Sequence, residues 1–184
     1  MKYAITLSLA TLLLAAGLAK GEQSPFPGTK SLWNGFDMYR NEGHIVVVPK
    51  KAAEGKPWVW RARFWGHEPQ FDMALLEKGY HLVYSYGGEL YGSPPAVERW
   101  NRYYKYLAEE HGFSRKVILE GMSRGGLIIY NWAIANPDKV AAVYGDAPVM
   151  DFKSWPGAGN AGKLKANGFK NEEEAKAYKG NPID

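Results

Sequence analysis

Lys116-Val117-Ile118-Leu119-Glu120-Gly121-Met122-Ser123-Arg124-Gly125-Gly126 decides how this chain is read. A short apolar, β-branched run leads into a Gly-flanked turn bearing a serine, and Leu127 to Asn136 follows as an apolar helical pattern closed by Pro137. Strand, sharp turn and helix together are the context that a G-x-S-x-G match requires. A serine on a tight strand-to-helix turn is pushed above the sheet edge, and small neighbours let the backbone fold back beside it. Ser123 is the candidate nucleophile. The competing reading is an ordinary strand-to-helix turn, since five letters alone also recur by chance.

Upstream, His44 to Val48 is a compact β-branched run stopped by Pro49, and Trp58 to Phe64 alternates with period two, so both read as strands. Pro69 to Lys78 reads as a helix closed by Gly79, and Tyr80 to Tyr84 as a third strand. After a Gly- and Pro-rich loop from Gly87 to Pro95, Ala96 to Glu110 places Val97, Trp100, Tyr104 and Leu107 on one helical face. Beyond the Ser123 helix, Val140 to Tyr144 is a further strand, followed by a Gly-rich loop through Gly162 and a short helix from Asn171 to Tyr178. Strand and helix alternate throughout, which predicts an α/β fold. The expected sheet is mostly parallel, with helices on both faces and any site at the carboxyl ends of the strands. Glu22 to Thr29 reads as a linker or arm.

Residues 1–19 differ from the rest: Lys2 gives a positive start, Ala4 to Leu18 is apolar or small, and Gly17-Leu18-Ala19 offers small residues for cleavage. A secretory signal peptide is expected over 1–19, leaving residues 20–184 as one partial domain in the periplasm or outside the cell. A membrane anchor would need ~20 apolar residues, so no stable span is expected after cleavage. The chain has no cysteine, which excludes a disulfide framework and thiolate metal sites. Net charge is +4, but Lys and Arg are scattered rather than clustered, so nucleic acid is not the expected partner. A mildly basic surface would suit an acidic polysaccharide.

A serine hydroxyl needs a base, usually a histidine oriented by a carboxylate. His44, His67, His81 and His111 all precede Ser123, whereas an elbow serine is expected to draw on acid and histidine that follow it. Asp146, at the end of the strand after the elbow helix, is the candidate acid, with Asp151 as a second; Asp146 also reads as a plain turn residue of Gly145 to Pro148. For the oxyanion hole, one donor is expected at the Arg124 N–H and the other at Trp65 or Gly66 in the loop after the second strand. His67 and Glu68 of that loop are candidate substrate contacts; for His67, bonding to neighbouring backbone is the alternative. The Arg124 side chain reads three ways, as a surface group, a partner for Glu120, or a binder of an oxyanion or carboxylate. Tyr84, Tyr86 and Tyr91 lie where they could stack on sugar, although large aromatics mostly serve packing.

These residues resemble the α/β-hydrolase superfamily, and within it secreted hydrolases of the prolyl-oligopeptidase-like and carbohydrate-esterase branches. The resemblance runs from about Trp33 to Asp184. It rests on Trp60-Arg61-Ala62-Arg63-Phe64-Trp65-Gly66-His67-Glu68-Pro69, Glu120-Gly121-Met122-Ser123-Arg124-Gly125-Gly126 and Gly145-Asp146-Ala147-Pro148. The Ser-Arg pair also resembles the elbow of glucuronoyl esterases, where the arginine helps hold the oxyanion. It implies an esterase that removes acyl or methyl groups from carbohydrate through an acyl-enzyme on Ser123, acting on a small ester or polysaccharide without metal or cofactor. The histidine of that family follows the last residues seen here, so the chain is expected to be C-terminally truncated, with an apolar sheet edge left open. A non-catalytic carbohydrate-binding or interaction module on a degenerate fold, and a peptidase-type hydrolase, are the alternatives.

Overall fold

The computed structural model describes residues 24–86, 90–159 and 161–184. The proposed signal peptide at 1–19 lies outside the described residues. Seven strands form one sheet: β1 (Thr29–Trp33), β2 (Phe36–Asn41), β3 (His44–Val48), β4 (Trp58–Ala62), β5 (His81–Ser85), β6 (Val117–Met122) and β7 (Val140–Asp146). Their order is β1-β2-β3-β5-β4-β6-β7. The first three pair antiparallel, β3 meets β5 antiparallel, and β5, β4, β6 and β7 run parallel. The sheet is thus parallel around the serine turn and antiparallel at the other end.

Helix α1 (Gln70–Glu77) follows β4, α2 (Pro94–Lys105) precedes β6, and α3 (Gly125–Ala135) joins β6 to β7. Period-two alternation in β4 sends Trp58, Trp60 and Ala62 to one face, where they pack with Trp100 and Tyr104 of α2 and Ile128, Ile129 and Trp132 of α3. Val59 faces the other way, toward Leu76 of α1 and Leu82 of β5. Because both faces are covered, all five β4 residues are buried. The aromatic-rich composition serves this core: Trp60 stacks on Trp100 at 3.9 Å between centroids and meets Trp132 edge-on at 5.6 Å. Among the described residues no helix is long and apolar enough to cross a membrane.

Several expectations are corrected. The 22–29 stretch is not a free arm where it is described, since Phe26 is buried against Tyr39, His111 and Phe113, and β1 begins at Thr29. Strand β4 ends at Ala62 rather than Phe64, because Arg63 and Phe64 adopt left-handed backbone with φ of 68° and 47° and cannot continue the ladder. The loop expected through Gly162 already turns helical at Ala161, forming α4 (Ala161–Ala166). The last helix, α5 (Glu172–Ala177), starts one residue later than expected, because Asn171 is its cap and accepts from the Glu174 N–H at 2.8 Å.

Strand β7 closes the described sheet as an edge. Val143 and Tyr144 there are 36 % and 44 % exposed.

Candidate active site

Chain order reverses between β4 and β6. The chain leaves β4 for β5 on one side, and β6 leads to β7 on the other, with Ala62 of β4 standing opposite Gly121 of β6. In open parallel sheets this switch point is where the loops part and leave a crevice. Ser123 sits there, immediately beyond β6, with φ of 48°. A left-handed serine is sparsely populated and persists only where surrounding structure enforces it. That enforcement is on three sides. The Ser123 N–H donates to the Asp146 carbonyl at 2.9 Å, and the Ser123 carbonyl accepts from Gly126 at 2.9 Å and Val149 at 2.8 Å.

The glycines around the serine are there because neighbours come too close for a side chain. A Cβ on Gly121 would lie 2.7 Å from Ile129 Cδ1 and 2.9 Å from the Gly125 carbonyl, and one on Gly126 would lie 2.5 Å from Pro148 Cβ. The turn is thereby packed between β4, α3 and the loop after β7, and Ser123 is left half-buried.

Among the described residues nothing hydrogen-bonds the Ser123 hydroxyl. His44 stacks on Tyr103 at 3.7 Å and its Nδ1 meets Ser85 Oγ at 3.1 Å. His81 is buried at the amino end of β5 against Phe113, and His111 packs on Phe26. His67 is exposed on the loop after β4. Its N–H donates to the Phe64 carbonyl at 3.1 Å, and its own carbonyl accepts from Arg61, so the backbone-bonded alternative describes its main chain. Glu68 is exposed and accepts from Gln70 at 2.9 Å.

Asp146 ends β7 opposite Met122, with its carbonyl on the Ser123 N–H and its residue surface exposed. Asp151 organises a local turn: its carbonyl accepts from Ser154 and Trp155 and its Oδ1 from Lys153 N–H at 2.8 Å. The Arg124 N–H lies at the cap of α3 and has no acceptor among the described residues. On the facing loop the Phe64 and Trp65 N–H groups are likewise unclaimed there. The Trp65 side chain packs on Trp33 and Tyr84, and Gly66 lies beside Trp33.

Arg124 is not the partner of Glu120, which pairs with Arg61 at 3.0 Å. Its guanidinium instead lies between two rings, 5.2 Å from Phe64 and 5.8 Å from Trp155. Among the described residues it has no hydrogen-bond acceptor or carboxylate. Trp155 and Phe64 escaped the sequence reading as site residues: Trp155 was visible only as a loop aromatic and Phe64 only as the end of a strand. Tyr91 is buried against Phe152 and Trp155, the packing role, while Tyr86 is 52 % exposed with the Arg63 guanidinium 5.5 Å from its ring. Among the described residues no group of three or more His, Asp or Glu stands where it could hold a metal.

The sequence matches no protein-family model, and no curated protein resembles it. Solved structures do. Fluorophosphonate-binding serine hydrolase F of Staphylococcus aureus aligns over 79 % of this chain and 69 % of its own, at 13 % identity and a TM-score of 0.56. A candidate carboxylesterase from Lactobacillus plantarum aligns over 80 % of this chain and 68 % of its own, at 14 % identity and 0.50. A prolyl endopeptidase aligns over 67 % of this chain but only 23 % of its own length, at 14 % identity and 0.52. At these identities the likeness shows the fold, that of the α/β-hydrolases.

Proposed function

We propose that this chain, an α/β-hydrolase by fold, carries the nucleophile of a secreted esterase that removes acyl or methyl ester groups from carbohydrate. Ser123 Oγ attacks the ester carbonyl carbon while its proton passes to a base. The oxyanion gathers the Arg124 N–H and an N–H of the Phe64-Trp65 pair, and collapse expels the alcohol to leave an acyl-enzyme. Donors fixed in advance at that point favour the tetrahedral state over the planar ester. The single observation carrying the reading is the left-handed Ser123 at the switch point, wedged by glycines whose neighbours leave no ordinary room for a Cβ. The acceptor-free Arg124 guanidinium, steadied by two rings beside Ser123, suits a carbonyl or carboxylate of the substrate. Names of the neighbouring structures, a serine hydrolase and a carboxylesterase, are in keeping with this chemistry.

The second reading is a non-catalytic module on the same fold. It is favoured by one fact, that no histidine or carboxylate touches Ser123 Oγ among the described residues. A fluorophosphonate probe separates the two. An adduct mapped to Ser123 and abolished in Ser123→Ala is the expected result; a folded protein that takes up no probe supports the binding module.

A further inference from the structure

Three ionisable side chains meet in the dry layer between the sheet and α1, directly under the site. Arg61 of β4 is 2 % exposed, Asp72 of α1 is 0 % exposed and Glu120 of β6 is 5 % exposed. Arg61 Nη1 donates to Asp72 Oδ2 and stands 3.0 Å from Glu120 Oε1, while Nη2 donates to the His67 carbonyl. One guanidinium therefore ties together the helix after β4, the strand that ends in Ser123, and the loop between them. Only arginine has the fork for this, because a lysine is a point charge and cannot hold two carboxyls and a carbonyl in fixed directions.

The charge count does not balance if both acids are ionised. Two carboxylates against one cation would leave a buried net negative charge, which the interior disfavours strongly. Two oxygens are also left over, Asp72 Oδ1 and Glu120 Oε2, each buried and, among the described residues, without a hydrogen-bond partner. A single proton on Glu120, donated to Asp72, removes the surplus charge and provides for both oxygens at once. Burial, with the adjoining Asp72, pushes the Glu120 carboxyl up to about 9, against a smaller opposing pull from Arg61.

We propose that Arg61 is a positioning residue for the Ser123 site: held between Asp72 and a neutral Glu120, it clamps the His67 carbonyl and locks the Arg63–Glu68 loop to the nucleophile strand. Its bearing on turnover rests on the esterase reading; the clamp itself does not.

The asymmetry of the two acids supplies the test, made on the intact protein with Glu120→Gln, Asp72→Asn and Arg61→Lys. Glutamine reproduces a neutral acid, since its NH2 donates to Asp72 and its carbonyl accepts from Arg61. Glu120→Gln is expected to keep or raise the melting temperature at pH 7, to keep the amide exchange of residues 64–68, and to remove an infrared band of a protonated carboxyl present in the wild type at that pH. Asp72→Asn and Arg61→Lys are expected to speed exchange over 64–68 by about tenfold or more with β6 unchanged, and to slow fluorophosphonate labelling in step. The proposal is overturned if the wild type lacks the band, if Glu120→Gln behaves like Asp72→Asn, or if Arg61→Lys leaves the loop exchange as it was. Should Arg61→Lys fail to fold, the band and the comparison of the two acid variants still decide. A wild type that never labels but passes the infrared and exchange tests removes the esterase reading and leaves the clamp standing.

Discussion

Gly125 and Ala62 belong to different elements, yet a Cβ on Gly125 would lie 2.5 Å from the Ala62 carbonyl oxygen. The amino end of α3 is therefore pressed against the carboxyl end of β4, and this contact sets how far the elbow stands from the facing loop. Gly125→Ala must push the two apart, an overpacking expected to cost about 1–3 kcal/mol of stability. Labelling of Ser123 by fluorophosphonate is expected to fall further than stability does, on the order of 100-fold, because a displacement of one ångström misaligns nucleophile and donors. Denaturant melts and labelling rates on one preparation check both; an alanine variant that labels at the wild-type rate would sink the idea.

The stacked pair Trp60 and Trp100 forms the centre of the α2-side core, with both rings essentially inaccessible. Trp100→Ala is expected to lower stability by about 3–5 kcal/mol through lost burial and the cavity left behind. The chemistry should be less affected in whatever fraction stays folded, since Trp100 belongs to the packing and not to the reacting groups. Chemical denaturation read by circular dichroism measures the loss.

Acid should destabilise the protein through His81. Burial, helped by nearby Lys56, lowers its pKa to about 4, partly offset by a backbone hydrogen bond with Pro57. A histidine that resists protonation in the fold but not in the unfolded chain contributes stability that is intact above about 6.5. That contribution drains away as the pH falls through about 4. The loss over this window is on the order of 3 kcal/mol. His81→Phe, which keeps a ring packed against Phe113, is expected to flatten this part of the stability profile. An unchanged slope between pH 6.5 and 4 would reject the assignment.

Glu120 predicts the opposite slope. Its folded carboxyl is raised to about 9, so the stability it brings is complete below about 4.5 and is lost as the pH rises through about 9. Titrating unfolding free energy from pH 5 to 9 should show a decline in the wild type that is reduced in Glu120→Gln.

The elbow was legible in the sequence because its constraints are local: three glycines around a serine, a β-branched run before and a helical period after. Strands β3, β4 and β5 were legible for the same reason, β3 and β5 as apolar runs and β4 as a period-two alternation. Strand β1 was not, since Thr29 to Leu32 are all exposed and the segment is extended only through its ladder to β2. The Arg61 cluster was equally hidden. Asp72 looks like the solvated first turn of α1, and its burial becomes apparent only once β4 and β6 bring Arg61 and Glu120 against it. Phe64 and Trp155 share that limit, because no spacing in the chain announces that two loops 91 positions apart will hold the same guanidinium between them.

The two margins of the sheet differ in kind. At β1 the border carries an ion pair, Lys30 and Asp37 at 2.8 Å across the outer ladder, beside the exposed Leu32. At β7 it is apolar, presenting Val143 and Tyr144. A charge pair at an edge discourages a further strand and an apolar margin invites one, so β7 is the better suited of the two margins to accept a strand. Growth at β7 also comes with a rule of handedness: a strand added parallel there from the same chain must arrive by a right-handed crossover, and so must bring a helix to cover one face.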